Sequence, residues 1–237
     1  MNQDTENFVL VHGAWHGGWC WAPVADLIRE GGHRVTTPTM TGLGERRHLL
    51  SRSVDLGLMI TDIVNHIVYE DLERVRLVGH SFGGPIITGV ADRIPERLAD
   101  LTYLDSLWVE PGTALIDLLA ADVSQARLAA AEAFDGGVSF PVPPPAAFGV
   151  EDPSGVDLLA RRLTPHPVAS YLSPLHLENP PTNGLPARYV VCVDPVYGPT
   201  APSAAAAREA GLEMVELAGP HDVMVTDPRA TAEVLMS

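Results

Sequence analysis

The chain has 237 residues, which at roughly 100–200 residues per domain means one large domain or one domain with an insertion. Fifteen basic against thirty acidic residues give a formal net charge of −15, a sign that repels phosphate backbones and anionic headgroups and argues against nucleic acid and membrane surfaces as partners. Cys20 and Cys192, the only cysteines, are too few for a disulfide framework or a Cys-based zinc site and read as buried thiols. The polar start MNQDTEN lacks the basic and apolar regions of a signal peptide, and no run of about 18 apolar residues follows, so a cytosolic protein is expected.

Along the chain, short β-branched runs alternate with stretches of helical period. This predicts an α/β fold with a mainly parallel sheet covered by helices on both faces. Phe8 to His12 (FVLVH) is a continuous apolar run suited to a strand buried on both sides. Trp21, Val24, Leu27 and Ile28 then recur at helical spacing until Gly31 and Gly32, and His33 to Thr37 reads as the second strand. A helix through Leu56, Ile60, Ile63 and Ile67 leads to a strand at Val75 to Val78, a helix from Pro85 to Ile94, and a strand at Leu101 to Asp105.

From 107 to 185 the alternation fails and prolines crowd. Short helical pieces remain at Ala114 to Ala120, Val123 to Ala133 and Val156 to Leu163. A structureless loop of that length is improbable, so the segment is expected to be a mostly helical cap inserted between core segments 1–106 and 186–237. The alternation resumes with a strand at Arg188 to Val193, a helix near Ser203 to Ala210 and a strand at Glu213 to Leu217. Asp227 and Pro228 open the last helix as N-cap and first residue.

Gly79-His80-Ser81-Phe82-Gly83 matches G-x-S-x-G between a predicted strand and a predicted helix. Such a turn is so tight that the residues two before and two after the serine need to be small, which lifts Ser81 above the sheet as a candidate nucleophile. A serine hydroxyl needs a base. His221, after the strand Glu213 to Leu217 and before the last helix, is the histidine in the expected chain order. Two convergent N–H groups are needed for an oxyanion; Phe82, just after the serine, and Ala14, in the loop His12-Gly13-Ala14-Trp15-His16-Gly17-Gly18-Trp19, are the candidates. A phosphate-cradling loop is the competing reading of those glycines, but neither G-x-G-x-x-G nor a Walker lysine is present.

FVLVHGAWHGGWCW, GHSFGG and GPHDVM resemble the small α/β-hydrolases that include plant methylesterases, hydroxynitrile lyases and bacterial esterases, some acting on carbamate or pyrethroid pesticides. TPTMTGLGERRHLL resembles the bacterial members in particular. The resemblance implies an α/β-hydrolase fold, Ser81 as nucleophile, His221 as base, and Ala14 and Phe82 as oxyanion donors. It also implies a triad aspartate in the loop after the strand at Arg188 to Val193. There the chain reads Cys192-Val193-Asp194-Pro195-Val196-Tyr197, with Asp194 near the place and Pro195 in the usual position. Asp194 is the first choice for the acid, and Asp105, at the end of the strand following the Ser81 helix, is its rival.

In hydroxynitrile lyases a lysine follows the histidine and a threonine stands where this chain has Ala14. Here Asp222 follows His221, and an anion there would oppose cyanide departure, so hydrolysis of an ester or similar acyl bond is favoured. The lyase and a non-catalytic small-molecule receptor stand as alternatives. The mechanism expected uses no metal or organic cofactor. Trp15 and Met224 are expected to line a pocket for a compact, uncharged or aromatic small molecule, with Trp19 a weaker candidate. A homodimer is left open.

Overall fold

A computed structural model describes residues 5–237; the first four residues, part of the polar start, lie outside it. The strand β1 (Asn7–Val11) leads through a single 3-10 turn into α1 (Ala22–Glu30), β2 (Arg34–Thr36), α2 (Leu56–Tyr69), β3 (Val75–His80), α3 (Gly83–Arg93) and β4 (Leu98–Leu104). The segment that follows carries α4 (Ala121–Asp135), β5 (Ser139–Phe140), α5 (Pro153–Arg162), β6 (His166–Pro167) and α6 (Val168–Leu172). The chain then returns as β7 (Ala187–Cys192), α7 (Ala201–Glu209), β8 (Glu213–Leu217), a short α8 (Val223–Thr226) and α9 (Pro228–Met236).

Six strands form one sheet in the order β2-β1-β3-β4-β7-β8, every pair parallel. Because side chains alternate across a strand, β1 sends Val9 and Val11 to one face and Phe8 and Leu10 to the other. The first face is covered by α2, α3 and α7, and the second by α1 and α9. Both faces are buried, which is why β1 reads as an unbroken apolar run. Asp227 caps the last helix as expected, accepting from the Ala230 N–H at 2.9 Å ahead of Pro228, and Asp55 caps α2 by accepting from the Leu58 N–H at 2.8 Å.

Strand order reverses between β1 and β3, where ligands of open α/β sheets gather at the carboxyl ends. Val11 pairs with Gly79, so the loop after β1 and the turn after β3 leave the sheet side by side. On the other flank of β3, His80 pairs with Leu104, placing Asp105 next to Ser81. Between β4 and β7 short helices alternate with irregular stretches, and the segment also carries the two-residue antiparallel pair β5-β6, which the sequence reading did not anticipate. Proline-rich flanks and a length of two residues leave no alternation to detect.

Candidate active site

Ser81 sits at φ 53°, in the left-handed region, on the turn between β3 and α3. A Cβ on Gly79 would lie 2.6 Å from the Gly83 carbonyl oxygen, and one on Gly83 would lie 2.9 Å from that of Val11, so no side chain fits at either position. The Ser81 hydroxyl lies 2.9 Å from His221 Nε2, and His221 Nδ1 lies 2.6 Å from Asp105 Oδ2. A carboxylate only accepts, so Nδ1 carries the proton and Nε2 presents its lone pair to the serine. Three separate strand ends, those of β3, β4 and β8, thus deliver a hydroxyl, an acid and a base to one line.

The acid that reaches the imidazole is therefore Asp105. Asp194 is exposed; its amide donates to the Gly219 carbonyl at 3.3 Å, and its carboxylate makes no hydrogen bond or ion pair with His221. The reason is register: Ser81 N–H donates to the Leu104 carbonyl at 3.2 Å, which makes Asp105 its immediate lateral neighbour. The Asp105 N–H is in turn held by Val190 at 2.7 Å. The loop after β7 brings Tyr197 instead, whose ring stacks on His221 with centroids 3.8 Å apart at 21°.

The loop after β1 packs against the serine: a Cβ on Gly13 would stand 3.0 Å from Ser81 Cβ. Histidines hold its peptide units. His12 Nδ1 donates to the Gly13 carbonyl at 2.8 Å while its Nε2 accepts from Met40 N–H at 3.1 Å, so the peptide bearing the Ala14 N–H is anchored by its own carbonyl. The next peptide is held at both ends, with the Ala14 carbonyl accepting from His16 at 2.8 Å and Trp15 N–H donating to His166 Nδ1 at 3.2 Å. His166 lies on β6, and the Thr164 N–H beside it donates to the Trp15 carbonyl at 2.9 Å, so the small β5-β6 pair clamps this loop. Among the described residues neither Ala14 N–H nor Phe82 N–H donates to a protein acceptor.

Burial pushes His12 down to about 3, and burial with the charges of His12 and His16 holds His166 well below the usual histidine range. Burial and the charge of His221 do the same to His80, whose Nε2 donates to the His221 carbonyl at 2.9 Å. His16 is the exception. Burial would lower it, but Asp222 at 3.0 Å and the Ala14 carbonyl leave both ring nitrogens donating and raise it, while Asp222 is correspondingly lowered. The two form a buried ion pair beside His221. Asp222 thus faces His16 and not the cavity, so it does not present a bare anion to a leaving group.

A cavity of about 50 Å³ opens over Ser81 and His221, lined by Gly13, Ala14, Trp15 and Tyr171 among others. Trp15 lines it. Met224 does not: fully buried on α8, it packs in the core with Trp21, Val24 and Val223, because the one-turn helix directs it toward α1. Trp19 stacks on His16 at 5.5 Å and stays outside the lining. Phe82 contributes no side chain to the cavity; its ring packs on His166 and Tyr171. The sequence analysis gave no role to His12, His16, His166 or Tyr197; the two histidines in the HGAWHGG run carried a signal, since they flank the loop they hold, whereas His166 and Tyr197 had none.

Comparison with known proteins agrees with this architecture. The profile of the "Alpha/beta hydrolase family" matches residues 8–234. A carbendazim hydrolyzing esterase of Nocardioides sp. (strain SG-4G) is 40% identical over 241 residues, covering 97% of this chain and 98% of that protein. Methylesterase 1 of Arabidopsis thaliana is 34% identical over 110 residues, 42% of this chain and 38% of its own length. Among solved structures, an extracellular alpha/beta-hydrolase from a Paenibacillus species superposes with a TM-score of 0.85 at 24% identity, over 98% of this chain and 97% of that one. A pyrethroid hydrolase does so at 0.78 and 20%, over 98% and 96%; at such identities these likenesses show the fold alone. With the profile spanning nearly all of its length and a full-length relative at 40% identity, the chain belongs to the alpha/beta hydrolase family.

Proposed function

We propose that this chain is a serine esterase that cleaves a small carboxylic ester, or a chemically similar acyl bond such as a carbamate, through an acyl-enzyme. The observation that carries the reading is the unbroken line from Ser81 Oγ to His221 Nε2 at 2.9 Å and from Nδ1 to Asp105 at 2.6 Å. His221 takes the serine proton as Oγ bonds to the carbonyl carbon. The oxygen that becomes negative is received by the Ala14 and Phe82 N–H groups. As the tetrahedral species collapses, the imidazolium gives its proton to the departing alcohol oxygen, leaving an acyl ester on Ser81. Water then enters, His221 deprotonates it, and the reverse sequence frees the acid. Asp105 holds the imidazole in the tautomer with Nδ1 protonated and stabilises its cationic form. The segment between β4 and β7 serves as the cap over this chemistry, supplying Tyr171 to the cavity wall and His166 to the loop clamp.

The esterase names of the relatives favour the same reaction. Against the lyase stand the alanine at position 14 and the absence of a lysine after His221. The test is an aryl acetate assay. Wild type should turn over with a burst of released phenol, and Ser81→Ala should lose activity by about 10⁶-fold. Equal slow rates for the two proteins would instead identify a binding protein, and cyanide release from a cyanohydrin at a comparable rate would restore the lyase.

A further inference from the structure

Beside the cavity over Ser81 lies a second chamber of about 240 Å³, walled by Phe140, Pro141, Val142, Pro143 and Ala147. Trp15, Arg127, Phe148 and Tyr197 line both, so the two are compartments of one cleft, separated by a shared rim. The inner compartment, at about 50 Å³, has room for only a few water-sized groups. A substrate whose carbonyl carbon meets Ser81 therefore places most of its bulk in the outer one.

The outer walls are mostly apolar and carry a single charged side chain. The chain's fifteen basic residues are all arginine, and of these only Arg127 lines either compartment. It projects from α4, where the residues one turn away are Val123, Ser124, Ala130 and Ala131, none able to pair with it. Among the described residues no carboxylate lies within ion-pairing distance of it. It sits beside the Tyr171 hydroxyl, which can absorb only part of a guanidinium's five N–H donors. In a protein of net charge −15, a lone cation set into an apolar cleft is not part of a general basic surface.

Resting on the esterase reading, we propose that the outer chamber is a substrate subsite in which Arg127 receives a carboxylate carried by the body of the ester, away from the bond that is cut. The substrate class is an ester of a compact, planar apolar group bearing a second, ionised carboxyl group. This narrows and partly reverses the expectation of an uncharged substrate, because a guanidinium fork matches a carboxylate with two parallel hydrogen bonds.

The experiment compares para-carboxyphenyl acetate with its near-isosteric carboxamide. In wild type, kcat/KM should favour the carboxylate by about tenfold or more, the size of one charge-assisted contact, and the preference should shrink with added salt. Arg127→Met should reduce the carboxylate-to-carboxamide ratio at least tenfold, and Arg127→Lys should recover part of it. Titration of para-carboxyphenyl acetate into Ser81→Ala and into Ser81→Ala/Arg127→Met should show the same loss in affinity without turnover. A ratio unchanged by Arg127→Met in a protein with the wild-type circular dichroism spectrum, or a wild-type preference for the carboxamide, would overturn the subsite. Hydrolysis that survives Ser81→Ala would instead overturn the esterase reading, so the two failures are distinguishable.

Discussion

At the scale of single residues, the Ser81–His221–Asp105 line rests on which carboxylate the imidazole finds, and here family habit and local geometry point to different places. The habit places the acid after β7, where Asp194 stands; lateral register in the sheet places it after β4, where Asp105 is 1% exposed and 2.6 Å from His221 Nδ1. Asp105→Asn should turn the amide's N–H₂ or its weaker oxygen toward Nδ1 and favour the wrong tautomer, lowering kcat by about 10⁴-fold. Asp194→Asn, a change on an exposed loop, should alter it by less than about threefold. Steady-state kinetics of the two variants decide the matter, and the reverse ranking would return the role to Asp194. Ser81 and His221 were legible because chain order and the glycine-flanked turn specify them. The acid was not, because choosing between two aspartates at two strand ends requires the strand order β3-β4-β7, which no local pattern encodes.

At the scale of elements, the core strands and helices were legible wherever burial imposes a period, while β5, β6 and α8 are too short to show one. The elbow between β3 and α3 shows how far motif reasoning reaches. It explained Gly79 and Gly83, but the most crowded position in the turn is the next one, Gly84. A Cβ there would stand 2.2 Å from the Leu107 carbonyl oxygen and 2.3 Å from Ser106 Oγ. Those atoms belong to the chain leaving β4, which Ser81 itself holds: its carbonyl accepts from Leu107 N–H at 2.9 Å and from Ser106 Oγ at 2.8 Å. Gly84→Ala therefore forces α3 away from the segment that carries Asp105. It should cost about 3 kcal/mol in urea unfolding, at the upper end of overpacking effects, and lower kcat through a lengthened contact between Asp105 and His221. A variant with wild-type stability and activity would show that α3 can shift without disturbing the acid.

For the whole molecule, the unusual quantity is the number of histidines buried in one place. His12, His80 and His166 are each at most 1% exposed and held below the ordinary histidine range. A group whose folded pKa is depressed contributes stability above its unfolded value, about 6.5, and loses it as pH falls toward the folded value. His12, held down to about 3, therefore withdraws about 1.4 kcal/mol per pH unit below that point, and His80 and His166 add losses of the same sign. His16 has the opposite sign: its raised pKa keeps its contribution intact below pH 6.5 and removes it as pH rises, so it offsets nothing on the acid side. Asp222, lowered by the same pair, stays ionised until pH falls below the usual aspartate range. Against a total stability of about 5–15 kcal/mol, His12 alone should lower Tm by about 5 °C between pH 7 and pH 5, a range above most carboxylate titration, and the other two rings deepen the fall. Thermal melts followed by circular dichroism measure it, and a Tm constant over that range would mean the three rings accept protons in place. His166→Asn keeps an acceptor for Trp15 N–H while removing one titrating ring, so it should flatten the pH slope whatever it does to Tm at neutral pH.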